Sequence, residues 1–133
     1  MPATITITDE RPAQRQKTTF TLDFLETQIT AREFLRRRIY EEVQAHNARP
    51  LEVFNGLVTP TALETGLNRA QPKLPRQIDW EAQFEKAVEM FERNGFIFLW
   101  NERQVEHLDE TLELTEGAVA TFLKLVPLVG GAR

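Results

Sequence analysis

Apolar and polar residues alternate strictly in two stretches near the start of the chain. Over residues 4–8 the alternation places Ile5 and Ile7 on one face, a pattern typical of a half-buried β-strand. The same alternation resumes over residues 19–24, where every second residue is large and apolar. Because the polar run 9–17 between these stretches contains a proline, we expect it to form a long, mobile hairpin loop.

The spacing then becomes helical. Thr30 and Glu33 have the spacing of a capping box, in which two side chains satisfy backbone N–H groups that the first helical turn leaves free. Apolar residues then recur at every third or fourth position as far as Val43 and form one stripe. These features predict a helix that begins at Thr30, ends near His46 and packs on the first hairpin.

Residues 47–94 differ in character from their flanks. Four prolines interrupt the first part, which offers only one more capping-box spacing, at residues 61–64. Asp79 then precedes a second apolar run at helical spacing, which residues 94–95 end in the manner of a helix C-cap glycine. We expect 47–94 to be an insertion with one short helix and a longer helix near 80–93.

The last third of the chain has the pattern of strands. Residues 96–100 are apolar on both faces, which is typical of a central strand covered on each side. A turn at 101–104, a short return strand at Val105 and a turn at 112–117 lead to a final strand over 119–126. Strands grouped around a helix predict an α+β fold, a sheet of about four or five strands with one main helix packed across it.

Charge and composition narrow the possible functions. The net charge of −4, from 16 basic and 20 acidic residues, gives no basic excess to attract a phosphate backbone, so we expect no nucleic-acid partner. The densest basic cluster, residues 36–38, lies within the helical pattern and is interpreted as a solvated face. No apolar run approaches the ~20 residues that span a bilayer, and no signal-peptide pattern is present, so we expect a soluble, cytoplasmic protein with no membrane partner.

Side chains suited to catalysis are scarce. The chain has no cysteine, which excludes disulfides, thiolate metal sites and cysteine nucleophiles. His46 and His107 are far apart in the sequence, and His107 is interpreted as a solvated residue of a surface turn. Gly-rich phosphate loops and carboxylate pairs at catalytic helical spacing are also missing. We therefore expect a monomeric domain that is not an enzyme and binds no metal or cofactor.

Features of the last third resemble a known superfamily. An asparagine turn at Asn101 follows a strand, and the spacing leucine, x, x, glycine, x, valine occurs at residues 114–119. The final strand then runs straight into Gly130 and Gly131. Together with the order of hairpin and helix, these features resemble the ubiquitin-like β-grasp superfamily, which includes ubiquitin-like modifiers, the molybdopterin synthase small subunit and the thiamine-pathway sulfur carriers.

The resemblance covers about residues 3–46 and 95–131 and leaves out the insertion. It implies that residues 1–133 form a single ubiquitin-like domain with a β-grasp fold and a flexible tail over 127–133. The insertion is one departure from the superfamily pattern, and the residues after Gly131 are the other.

In this superfamily the reactive group is the carboxylate of a terminal glycine, whereas here Ala132 and Arg133 follow the double glycine. The resemblance therefore implies a modifier precursor that a processing peptidase cleaves between Gly131 and Ala132. An activating enzyme would then use ATP to adenylate the Gly131 carboxylate, and a conjugating enzyme would join it to a target protein. The chain itself would bind no cofactor.

The residues around the double glycine are suited to this use. Gly130 and Gly131 have no side chains to block a narrow enzyme channel. Leu128 and Val129 are candidate apolar anchors for the partner, because no element of the predicted domain obviously buries them. Lys17, in the expected first loop, is the most exposed candidate acceptor for chains of modifiers.

Two other functions are compatible with the same sequence. A sulfur carrier would convert its terminal glycine to a thiocarboxylate and donate sulfur. An unprocessed β-grasp domain, a different class, would bind a protein partner through its sheet or its insertion. The short extension after Gly131 favours the modifier precursor among the three.

Overall fold

The computed structural model describes residues 2–48, 57 and 78–124. Within these residues the chain is α+β, and none of its helices is long and apolar enough to cross a membrane. The strands are β1 (Ala3–Arg11), β2 (Gln16–Phe24), β3 (Gln28–Thr30), β4 (Phe96–Trp100), β5 (Arg103–Gln104), β6 (Thr111–Glu113) and β7 (Val119–Lys124). The α-helices are α1 (Ala31–Ala48) and α2 (Trp80–Glu92); the short helix expected near 61–66 lies outside the described residues.

The main sheet is mixed and five-stranded, with the order β2-β1-β7-β4-β5. β1 is antiparallel to β2 and parallel to β7, and β4 is antiparallel to both β7 and β5. The last described strand therefore lies in the middle of the sheet, beside the first. β3 and β6 form a separate two-stranded sheet in which Ile29 faces Leu112, a pairing that the sequence pattern did not indicate.

The first hairpin is longer and tighter than expected, and the prediction of a long loop over 9–17 is wrong. β1 and β2 pair without interruption as far as Arg11 and Gln16. A short 3₁₀ turn begins at Pro12, and Arg15 closes it with a left-handed φ of 53° and an N–H that donates to the Pro12 carbonyl at 3.1 Å. The polar residues of β2 continue the strand because an edge strand can present its side chains to water, whereas residues 9–10 of β1 are paired on both sides and Asp9 is buried.

Two compact units make up the chain, Met1–Phe34 with Met90–Arg133, and Leu35–Glu89. Aromatic rings form the core of the first unit. Phe98 stacks on Phe122 with ring centroids 4.5 Å apart, and Phe34, in the first turn of α1, lies 5.8 Å from Phe98 and 5.4 Å from Trp100. Every second residue of β4 is buried, as its pattern predicts, but the alternate residues are only half-buried within the described part of the chain.

The start of α1 confirms the predicted helix cap. The Thr30 hydroxyl oxygen accepts a hydrogen bond from the Glu33 N–H at 3.1 Å. The Ala31 N–H also donates to the Glu110 carbonyl at 2.8 Å, and the Arg32 N–H to the Leu108 carbonyl at 2.9 Å. The beginning of the helix is therefore held by its own cap and by the segment that precedes β6.

In the second unit, the basic cluster at residues 36–38 is not the solvated face that the sequence suggested. Arg38 is fully buried, and its Nε and Nη2 lie 3.2 Å and 3.0 Å from the carboxylate oxygens of Glu42. Arg36 lies over the ring of Trp80, 5.6 Å from its centroid. A buried guanidinium needs a paired carboxylate, and Glu42 supplies it one helical turn away.

The end of α2 differs in detail from the expected C-cap. Asn94, and not Gly95, adopts the left-handed conformation, with a φ of 60°. The Gly95 N–H donates to the Met90 carbonyl at 2.7 Å, and a side chain at Gly95 would approach the Met90 Cε to 3.0 Å. A Cβ at position 95 would therefore be crowded by Met90, and the asparagine makes the turn.

Candidate functional site

Most residues singled out for activation lie outside the described residues. Gly130, Gly131 and Ala132, the expected activation and cleavage site, follow β7, as do the candidate anchors Leu128 and Val129. The structure defines the base of this segment, namely β7 and the turns that lead into it.

β7 is held on both sides. It pairs in parallel with residues 6–10 of β1 and antiparallel with β4, where Phe96 faces Lys124. The side chains of Ala120 and Phe122 are fully buried. Because both edges of β7 carry ladder hydrogen bonds, the chain that continues beyond Lys124 starts from a fixed point.

Asn101 fixes the start of β7. Its backbone has a φ of 51°, a left-handed conformation that asparagine tolerates better than most residues. Its N–H donates to the Val119 carbonyl at 2.8 Å, and its Oδ1 accepts from the Val119 N–H at 2.9 Å. Asn101 therefore makes the turn after β4 and also ties that turn to β7, a link that spans 18 positions and has no signal in the sequence.

The turn that precedes β7 contains the glycine of the superfamily-like spacing. Gly117 has a φ of 87°, which strains any residue with a Cβ, although nothing lies within 4 Å of the position that a Cβ would occupy. The Ala118 N–H donates to the Thr115 carbonyl at 3.0 Å, and the Glu116 carboxylate accepts from the Thr4 N–H at 2.9 Å. The turn therefore joins the start of β1 to the start of β7.

A second turn, between β5 and β6, is organised by the carboxylate of Glu110. One oxygen lies 3.0 Å from the Arg103 guanidinium, and the other accepts from the N–H groups of Glu106 and His107 at 2.8 Å and 3.1 Å. The hydrogen bond from Arg103, aided by these backbone donors, lowers the pKa of Glu110 despite some opposing desolvation. Glu110 holds the loop in one conformation, a role that sequence analysis did not assign.

A cavity of about 500 Å³ lies in the first unit, beside β4 and the 104–109 segment. Aromatic residues of β4 line it together with polar side chains, among them Arg32, Asn94, His107 and Asp109. His107 is exposed, and the described residues contain no group of three or more histidine, aspartate or glutamate side chains that could hold a metal. Both signs of charge line the cavity, so its electrostatics select no class of ligand.

Lys17, the candidate acceptor, lies in β2 and not in a loop, where it faces Glu10 of β1. Its side chain is exposed. Lys86, on α2, is half-buried, and desolvation lowers its pKa against the opposing charge of Glu89. Of the two amines, that of Lys17 is the more exposed.

No protein-family model matches the chain, and neither a curated protein nor a solved structure is significantly similar to it.

Proposed function

We propose that the chain is a ubiquitin-like modifier precursor with a β-grasp fold. A peptidase removes Ala132 and Arg133, an activating enzyme adenylates the carboxylate of Gly131, and a conjugating enzyme transfers it to an amine of a target protein. In this account the chain is a substrate of its partner enzymes and supplies no catalytic residue.

The position of β7 carries this proposal. A hairpin, a helix and a last described strand beside the first, in a mixed five-stranded sheet, are compatible with a β-grasp arrangement. The segment with Gly130 and Gly131 follows that central strand within a few residues. Because this strand is hydrogen-bonded to a neighbouring strand on each side, an enzyme could bind the double glycine while the strand stays in place.

The chemistry requires little of the folded domain. The Gly131 carboxylate attacks the α-phosphorus of ATP, the bond to the bridging oxygen breaks, and pyrophosphate leaves. A nucleophile then attacks the acyl carbonyl and AMP leaves, so an amine nucleophile yields an isopeptide bond. Side chains at positions 130 and 131 would obstruct the channel where this happens, and glycine has none.

The proposal is tested by adding the purified full-length chain and ATP to an extract of the cells that produce it. We expect heavier adducts whose new bond is at Gly131. Gly131→Val should abolish them, because the branched side chain obstructs cleavage and activation. Arg133→Lys is the matched control, since it changes a residue that is removed before activation and should leave the adducts unchanged.

The same experiment separates the other candidate functions. A product in which one carboxylate oxygen of Gly131 is replaced by sulfur, with no target attached, would identify a sulfur carrier. A chain that gains no mass and keeps its partner binding in the Gly131→Val variant would be an unprocessed interaction domain. Equal thermal melts of both variants and the wild type would exclude misfolding as the cause of a loss.

A further inference from the structure

β2 is a long edge strand. Among the described strands it has a neighbour, β1, on one side only. It is nine residues long, and most of its side chains are exposed. The strand at the opposite edge, β5, has two residues. Since proteins commonly shorten or cover their sheet edges to prevent pairing with another chain, the length of β2 requires an explanation.

The backbone groups that β2 offers to a new strand can be identified. The Thr6 N–H donates to the Ala118 carbonyl at 3.1 Å, so the backbone of Thr6 faces β7. Backbone groups alternate along a strand, and therefore Ile5 and Ile7 face β2 and bond their partners Leu22 and Phe20. The intervening residues of β2 direct their N–H and C=O groups away from β1, to the open edge; these are Lys17, Thr19, Thr21 and Asp23.

The side chains of β2 differ between its two faces. Lys17 and Asp23 lie on one face, with the two outward-bonding threonines between them. Phe20 and Leu22 lie on the other face and are half-buried, so they retain apolar surface that a neighbouring strand could cover. The Thr4 hydroxyl donates to one carboxylate oxygen of Asp23 at 2.7 Å, which orients that carboxylate.

We propose that β2 is a self-association surface, on which the β2 strands of two copies pair antiparallel about a twofold axis at Phe20. In this register Lys17 faces Asp23 of the partner subunit, and Thr19 faces Thr21 of the partner subunit. The outward-bonding residues thus meet one another and exchange two backbone hydrogen bonds per pair. The main sheets of the two copies become one continuous sheet.

Charge complementarity selects both the occupant and the register. A twofold axis brings a lysine near one end of β2 to an aspartate near the other end, and it does so twice. If the register shifts by two residues in either direction, Lys17 no longer faces Asp23 of the partner subunit. If the register shifts by one residue, outward-bonding residues of one β2 strand face residues of the other whose backbone N–H and C=O groups point back to β1. Among registers confined to β2, only the one centred on Phe20 satisfies both the backbone and the charges.

The proposed dimer differs from the monomer expected from the sequence, and the proposal does not depend on the modifier function. Paired β2 strands would engage Lys17 in an ion pair and would make its amine less available as an acceptor. The opposite-charge pairs should strengthen the contact, and salt should weaken it.

The test is sedimentation equilibrium on the full chain, from about 10 µM to on the order of 1 mM, the range in which weak association is measurable. We expect a monomer–dimer equilibrium. Lys17→Asp and Asp23→Lys should each weaken the dimer about tenfold, because like charges then face each other at two places. Glu113→Lys, at an exposed position of β6, is the control and should leave the dimer unchanged.

A mixture of the Lys17→Asp and Asp23→Lys variants provides the most discriminating test. Their heterodimer places opposite charges at both contacts, so it should form with about the wild-type affinity although neither variant associates well alone. A wild-type chain that stays monomeric at every concentration, for example because another part of the chain covers β2, would overturn the proposal. A dimer that is insensitive to the charge reversals, or a mixture that does not recover, would overturn it equally.

Discussion

β4 and β2 belong to the same sheet but differ in nearly every physical respect. β4 has strand neighbours on both sides, and its alternate residues Phe96, Phe98 and Trp100 are buried. β2 is almost twice as long and has one described strand neighbour. Phe24 is its only buried residue. The comparison indicates that the interior strand carries stability, whereas the edge strand supplies a surface with unused backbone groups.

The largest expected effect lies in β4. Phe98→Ala removes a fully buried ring that stacks on Phe122 and should lower the free energy of unfolding by about 3–5 kcal/mol. Leu99→Ala, on the half-buried face of the same strand, should cost about 1–2 kcal/mol. Urea unfolding followed by tryptophan fluorescence measures both. Equal losses at the two positions would contradict the assignment of one face of β4 to the core.

An intermediate effect is expected at the turn that joins β4 to β7. Asn101→Ala removes the acceptor for the Val119 N–H and leaves alanine in a left-handed conformation, so unfolding should become easier by about 1–2 kcal/mol. Asn101→Gly relieves the backbone strain, and Asn101→Asp retains the acceptor oxygen. Both should therefore be more stable than the alanine variant in the same urea assay; an alanine variant equal to wild type would rule out this link.

A smaller and pH-dependent effect is expected at Glu110. Its pKa is lower in the folded than in the unfolded chain, so its stabilisation is present above the ordinary carboxylate pKa and is lost as the pH falls through the lowered folded value. Glu110→Gln should reduce stability by less than about 1 kcal/mol at neutral pH, and by progressively less as the pH falls through the lowered folded pKa. Glu113→Gln, at an exposed position, is the control for thermal melts across this range. If the stability difference between Glu110→Gln and the wild type grew toward acid pH, it would contradict a lowered pKa of Glu110 in the folded chain.

The smallest effect is expected at the edge. Lys17→Ala removes an exposed side chain, and at concentrations where the chain is monomeric it should change the unfolding free energy by no more than about 0.5 kcal/mol. Dilute urea titrations measure this change. A loss comparable to that of the Asn101 variants would mean that Lys17 has an intramolecular role and that β2 is not simply an edge.

Much of the fold follows from local patterns in the sequence. The alternation around Ile5, the apolar run at β4 and the cap at Thr30 each give the right element, because the signal and the structure involve the same few residues. The errors occur where one polar stretch has two possible environments. Residues 9–11 and 16–17 are polar enough for a loop. In the structure 16–17 continue the exposed edge strand β2, and 9–10 of β1 pair with both β2 and β7.

Three other features of the structure had no such signal in the sequence. The pairing of β3 with β6 involves three residues on each strand, too few to give a recognisable alternation. Arg38 looks like any surface arginine of an amphipathic helix, yet it is fully buried beside Glu42. The Glu110 carboxylate accepts hydrogen bonds from residues only three to seven positions away. The types of these residues do not indicate that they share one acceptor.

The central claim, that the double glycine becomes a reactive terminus, is tested most directly by the intact mass of the protein isolated from the cells that produce it. The account predicts a species shorter than the 133-residue chain by Ala132 and Arg133, together with heavier conjugates joined through Gly131. A single species that retains both residues would contradict it.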